Sequence, residues 1–251
     1  MERLKALIYL TIFLLTTDSL FGQIPKFIFN EVNGEEFDCN YFSFSKKTFE
    51  QNVGVYHFGE SEGEWSLVFL SFEDSLIIQV RNGFWSELPG FENQFFWITK
   101  CQTFNNVKIK DDKFYFGIYS GQFADYKVGK YETRAVLLFS DPINGRNYKN
   151  DSAEVGFYLT SIDTFFDNKD RYDLSLEVKP EDYFLNKTKL ELKILRNTIY
   201  ANYGLIFQSG GDMDKYFSSK DWYRGWRNDV SYCLTEIEKR NLAILKRFEN
   251  K

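Results

Sequence analysis

Trp65-Ser66-Leu67-Val68-Phe69-Leu70-Ser71-Phe72-Glu73-Asp74-Ser75-Leu76-Ile77-Ile78-Gln79-Val80 is the stretch that decides the fold. Two runs rich in β-branched and aromatic residues flank Glu73-Asp74, a short turn signal. The reading is strand, turn, strand. A connection this short only permits antiparallel neighbours, since a parallel crossover takes about a dozen residues. Strict alternation fails, because Phe69 adjoins Leu70 and Ile77 adjoins Ile78. Such strands are covered on both faces, or keep one face for a ligand or partner.

The same pattern extends outward. Strands are expected at 53–58, 95–99, 107–110, 114–119, 134–139 and 155–159, with further turn signals at Asn82-Gly83, Asp111-Asp112 and Ser120-Gly121. An antiparallel meander results, either barrel-like or folded as a sandwich. Aromatic residues make up 19% of the chain and crowd into this region, as in Phe84-Trp85, Phe91, Phe95-Phe96-Trp97 and Phe114-Tyr115-Phe116. Cross-strand packing in an aromatic core accounts for them more simply than a lipophilic cavity or a sugar-stacking platform does.

Beyond residue 178 the period changes to that of helices. Thr188 and Glu191 have capping-box spacing, Leu192, Leu195 and Ile199 form an apolar stripe, and Gly204 stands where a left-handed stop is expected. A short helix is expected at 212–217. Thr235 and Glu238 open a last helix, whose stripe is Ile237, Asn241, Ile244, Leu245 and Phe248. Asn241 is the polar member of that stripe, and its amide is expected to bond the backbone of the loop at 222–228. The fold class is α+β in two parts, a β meander followed by a small helical domain.

Leu195-Arg196-Asn197, Ile199-Tyr200-Ala201, Gly204 and Phe207 resemble the signature of the YARHG domain. Tyr216-Phe217, Trp222-Tyr223, Asp229-Val230, Leu234, Glu238-Lys239 and Asn241 extend the likeness over roughly residues 180–251, about the size of a small domain. Asn202 and Tyr203 stand where the family's name has Arg and His. The resemblance implies an extracellular setting and brings no established chemistry. The motif residues are expected to be structural, with Trp222 and Tyr223 filling the small core.

Arg3 and Lys5 precede an apolar run, Ala6 to Leu15, with Gly22 close behind. That order describes a secretory signal peptide over 1–22, and the run is shorter than the ~20 residues of a membrane span. The expected division is therefore 1–22 signal peptide, 23–178 β-rich domain and 179–251 helical domain. Periplasmic or extracellular localisation is the consequence. Asp163, Asp167, Asn168, Asp170 and Asp173 read as an acidic solvated linker, their spacing being wrong for a calcium loop.

Residues 1–180 hold 18 basic and 26 acidic side chains, and residues 181–251 hold 13 and 10. Neither half has the basic density of a nucleic-acid binder. Lys189, Lys193 and Arg196 share a helical face, and Arg224 and Arg227 flank Trp226. These six residues form a candidate interaction surface, used either against the acidic β part or against an anionic envelope polymer.

His57 is the only histidine, and no nucleophile elbow, Walker loop, dinucleotide glycine pattern or paired Cys-x-x-Cys occurs. No cofactor, metal site or catalytic residue is assigned. Glu60, Glu62 and Glu64 read as a solvated turn. Of Cys39, Cys101 and Cys233, the first two are the expected disulfide pair if one forms, both lying in the β region, and three buried free thiols are the equal alternative. The leading expectation is an exported, noncatalytic binding or accessory protein of the cell envelope or extracellular space, with an unidentified protein or anionic polymer as partner. A carboxylate-based hydrolase of cell-wall or glycan substrates is one alternative. A structural accessory, with the helical part docked on the β part, is the other.

Overall fold

The computed structural model describes residues 25–250 apart from 31–33, 45–47, 49, 60–64, 89–91, 111 and 149–150. The expected signal peptide and the Glu60, Glu62, Glu64 run lie outside the described residues.

The strands in chain order are β1 Phe27–Asn30, β2 Glu35–Phe37, β3 Phe42–Ser43, β4 Gly54–Phe58, β5 Trp65–Phe72, β6 Ser75–Glu87 and β7 Phe95–Phe104. After them come β8 Lys108–Lys110, β9 Lys113–Phe116, β10 Tyr119–Val128, β11 Tyr131–Leu138, β12 Ser140–Asp141, β13 Arg146–Asn147 and β14 Ser152–Thr160. Six helices come next: α1 Ile162–Phe165, α2 Lys169–Leu176, α3 Asp182–Leu185, α4 Lys189–Ala201, α5 Asp212–Ser218 and α6 Glu236–Glu249. The fold is α+β, as the periodicity indicates.

Twelve strands share one sheet, whose main path is β7-β6-β5-β4-β14-β11-β10-β9-β8. Two antiparallel meanders therefore meet where β4 pairs with β14, and β1 adds one parallel pairing to β14. The sheet curls without closing. Its two halves face each other across an aromatic core, with Phe69 of β5 touching Phe114 of β9 at 5.2 Å and Phe104 of β7 touching Phe116 at 5.1 Å. Tyr56, Phe58, Leu67 and Val136 are fully buried there. The aromatic richness of these strands thus goes largely into core packing.

Two turn expectations need correction. Asn82-Gly83 lies inside β6, where Asn82 pairs with Lys100 and Gly83 with Thr99. Gly83 is a place for a ring to lie, since a Cβ would meet the Trp97 indole at 2.3 Å. The strand expected at 114–119 is a hairpin, with Phe116 paired to Tyr119 and Gly117 at φ +58°. Gly121, taken for a turn residue, sits within β10 opposite Phe114. In both places a glycine leaves room for an aromatic neighbour on the next strand.

The doubly apolar strands have a second cover. Val55, Val68, Leu70 and Ile77 point away from the sheet interior and pack under Phe166 and Ile237, with Ile162 and Tyr172 around them. Burial on both faces is why alternation fails in β5 and β6. The acidic stretch expected as a solvated linker is instead α1 and α2, each with a side-chain N-cap, Ser161 and Asn168. Asp173 is held by Lys179 at 2.6 Å and accepts from the Tyr183 hydroxyl at 2.9 Å.

Candidate functional site

Both capping boxes form. Thr188 and Glu191 satisfy each other's backbone N–H at the start of α4, and Thr235 and Glu238 do so at the start of α6. Beyond α4, Gly204 has φ +76°, and Trp226 lies so close that a Cβ there would meet its indole at 2.3 Å. Phe207, Phe217 and Tyr223 stack in a small core beside Ala201, while Trp222 lies at its edge under the Arg171 guanidinium. Asn241 is fully buried, as its place in the stripe implies, but its partners differ from those expected. Its amide donates to Leu174 O and Glu177 O, both at 2.8 Å, and accepts from Lys179 N at 2.9 Å. The last turn of α2 and the chain that follows it supply these groups, because α2 packs against α6.

Glu238 does more than cap. Completely buried, it accepts from Ser175 Oγ at 2.6 Å and from the Tyr203 hydroxyl at 2.9 Å. Gln79 of β6 in turn donates to the Tyr203 oxygen at 2.9 Å and to Cys233 O at 3.1 Å. A polar chain thus crosses from sheet to helices at the position where the family's name has His. Burial pushes the Glu238 carboxyl up to about 7 against the opposing effect of its hydrogen bonds, and raises Tyr203 well above the ordinary phenol value. Sequence reasoning assigned Glu238 only to the cap. The capping-box spacing does not indicate which of its members faces another layer.

The helical part also covers an edge. β7 ends the main path of the sheet, and such an edge exposes unpaired backbone groups. The 3-10 turn Ser231–Cys233 lies against it. Cys233 Sγ donates to Cys101 O at 3.3 Å and Arg227 Nη2 to Thr99 O at 3.4 Å. Thr103 Oγ1 donates to Cys233 O, and Asn105 exchanges bonds with Leu234 O and Glu236 N.

Between this cover and the mouth of the curled sheet lies a cleft of about 710 Å³. β6 and β7 contribute Val80, Asn82, Lys100 and Gln102, and the β12–β13 turn contributes Ile143 and Asn144. Trp226, Arg227 and Tyr232 close the third side, with the Arg227 guanidinium 3.9 Å from the Trp226 ring centroid and 5.3 Å from that of Tyr232. The volume is that of a small-molecule pocket. Amides, two cations and two aromatic rings suit a polar, hydroxylated or anionic guest better than a purely apolar one. Of the sheet and turn residues in this wall only Asn82, as a turn signal, and Cys101, as a disulfide candidate, were singled out from the sequence, and neither as part of a binding site, because the wall's members are far apart in the chain.

The expected interaction surface divides. Lys189 is exposed, Lys193 pairs with Asp212 at 3.3 Å, and Arg196 pairs with Glu249. Arg224 lies 5.0 Å over the Phe96 ring, Trp226 meets Phe84 edge-on at 6.2 Å, and Arg227 is buried with Nη1 at 2.8 Å from Cys233 Sγ. The last three are turned toward the β part and the first three lie on α4, so the six share no common face. Leu195, Ile199 and Tyr200 pack in the helical core, while Asn197 is buried and donates to Lys193 O at 2.7 Å. The expected Cys39–Cys101 bridge is not formed, and all three cysteines are free. Cys39 packs in a different cluster, with Sγ on Pro25 O at 3.0 Å, whereas Cys101 faces Cys233.

His57 is half-buried on β4, with Nδ1 3.0 Å from Ser66 Oγ on the neighbouring strand. Among the described residues no helix is long and apolar enough to cross a membrane, and no group of three or more acidic, Cys or His side chains is gathered to hold a metal ion.

No curated protein and no solved structure matches this chain. The strands that precede α1 match no family model either. The helical part does: residues 168–250, from the cap of α2 through α6, match the YARHG domain.

Proposed function

We propose that this is an exported binding or accessory protein of the bacterial cell envelope or extracellular space, with the cleft between sheet mouth and YARHG domain as its binding site. The YARHG match supports an extracellular or periplasmic accessory module. The signal-peptide pattern of residues 1–22 supports export. Catalysis is not part of the proposal. Among the described residues the carboxyl lifted toward neutrality is Glu238, which is fully buried and engaged by Ser175, Tyr203 and Thr235. In this reading residues 23–178 supply the strands of the site and the helical part its third wall.

The observation that carries the proposal is the wall composition of the cleft. Lys100 and Arg227 bring positive charge, Asn82, Gln102 and Asn144 bring amides that both donate and accept, and Trp226 offers a ring. That combination fits an acidic saccharide fragment of an envelope polymer. Titration of acidic and neutral oligosaccharide fragments, followed by tryptophan fluorescence, tests it. Binding of the acidic fragments is expected, and Lys100→Ala should weaken it by roughly tenfold, the loss of one charge-assisted hydrogen bond. A flat titration with every fragment, or equal affinity in Lys100→Ala, would refute the assignment.

A further inference from the structure

Cys101 and Cys233 are 132 residues apart in the chain and neighbours in space. Cys101 lies on the edge strand β7, and Cys233 ends the 3-10 turn laid against that edge. Cys233 Sγ donates to Cys101 O at 3.3 Å, which sets the two side chains next to each other in the same buried cluster. Both are buried in one apolar cluster, at 6% and 0% exposure, and Cys101 also borders the cleft. We infer that Cys101 and Cys233 are the disulfide site of this protein, a covalent staple fastening the YARHG domain to the edge of the sheet.

The chemistry needs a disulfide donor of the glutathione class, whatever route brings the chain to one. The Cys101 thiolate attacks one sulfur of the donor disulfide and forms a bond to it, while the donor S–S bond breaks and the other donor sulfur leaves as a thiolate and takes up a proton. Cys233, deprotonated in its turn, attacks the Cys101 sulfur of the mixed disulfide and expels the second donor thiol. Two protein thiols are oxidised, and one donor disulfide is reduced to two thiols. Since both sulfurs are covered in the finished fold, exchange belongs to the stage before the 3-10 turn closes over β7.

A bridge here closes a long loop, the case in which a cross-link most restricts the unfolded chain. It also ties together the two layers that enclose the cleft, which Arg227 lines while touching Cys233 Sγ at 2.8 Å. The test is to denature and reduce the full chain, refold it in oxidised and reduced glutathione, alkylate, and map the peptides of the soluble product. Cys101 and Cys233 should be linked, with Cys39 alkylated, and Cys39→Ser should give the same bridge. Reducing the bridged protein should lower Tm by roughly 10 °C. Three alkylated cysteines, any bridge involving Cys39, or equal melting of bridged and reduced protein would overturn the inference.

Discussion

Replacing Gly204 by Ala probes the joint between the YARHG domain and the sheet. The backbone there is left-handed, φ +76°, which costs an L-residue about 1–2 kcal/mol. A second cost comes from space. The new methyl would sit 2.3 Å from Trp226 Cδ1 and Nε1 and 3.2 Å from Arg224 O. Trp226 cannot simply swing aside, because its N–H and that of Arg227 both donate to Gly204 O at 2.9 Å and its ring meets Phe84 of β6. Overpacking of this kind typically adds about 1–3 kcal/mol. Together the two terms reach about 2–5 kcal/mol, a fall in Tm of roughly 5–15 °C for a chain of this size. Gly210 provides the control, since its φ is +74° and nothing lies within 4 Å of its missing Cβ. Gly210→Ala should therefore show only the conformational part, a few degrees. Thermal unfolding of the two variants, with tryptophan fluorescence as a local report on Trp226, separates the contributions. Equal melting of Gly204→Ala and Gly210→Ala would show that the seat of Trp226 contributes nothing at this joint.

Two further predictions concern buried polar groups. Glu238 is held up to about 7 in the folded chain, against about 4.3 when unfolded, so between those values the folded state carries the extra proton. Its contribution to stability is full below pH ~4, is lost as pH rises through 7, and amounts to roughly 4 kcal/mol across the window. Urea unfolding at pH 5 and pH 8 should show that difference shrinking in Glu238→Gln, and parallel profiles for the two proteins would contradict it. Asn241→Ala leaves Leu174 O, Glu177 O and Lys179 N without their buried partner, at about 1–3 kcal/mol per stranded group. Hydrogen exchange should then quicken at the Lys179 amide before it does in α4, whereas unchanged exchange there would mean that water replaces the side chain.

Local elements and their ends were set by the residues alone. Glu73-Asp74 makes its turn between Phe72 and Ser75, Thr188 and Thr235 cap their helices, and Gly204 takes positive φ. These outcomes depend on neighbours within a few residues, so spacing and residue type suffice. The likeness of 195–207 to the YARHG signature was legible for the same reason, and the family match covers it. The consequences of packing were not legible in this way. Asn82-Gly83 reads as a turn until Trp97 needs the space above Gly83. Asn241 is visibly a buried amide, but only the docking of α2 beside α6 decides that Leu174, Glu177 and Lys179 bond to it. Charge was a poor guide to how the two parts meet. Arg240–Glu73 joins them as an exposed ion pair at 3.5 Å, while Gln79, Tyr203, Asn105 and the apolar contacts of Ile237 and Phe166 make up the buried joint. The cleft and the Cys101–Cys233 pair belong wholly to tertiary structure. Their members come from strands, a turn and the segment that ends in the 3-10 turn, far apart in the chain, and only the curl of the sheet and the cover over β7 bring them together.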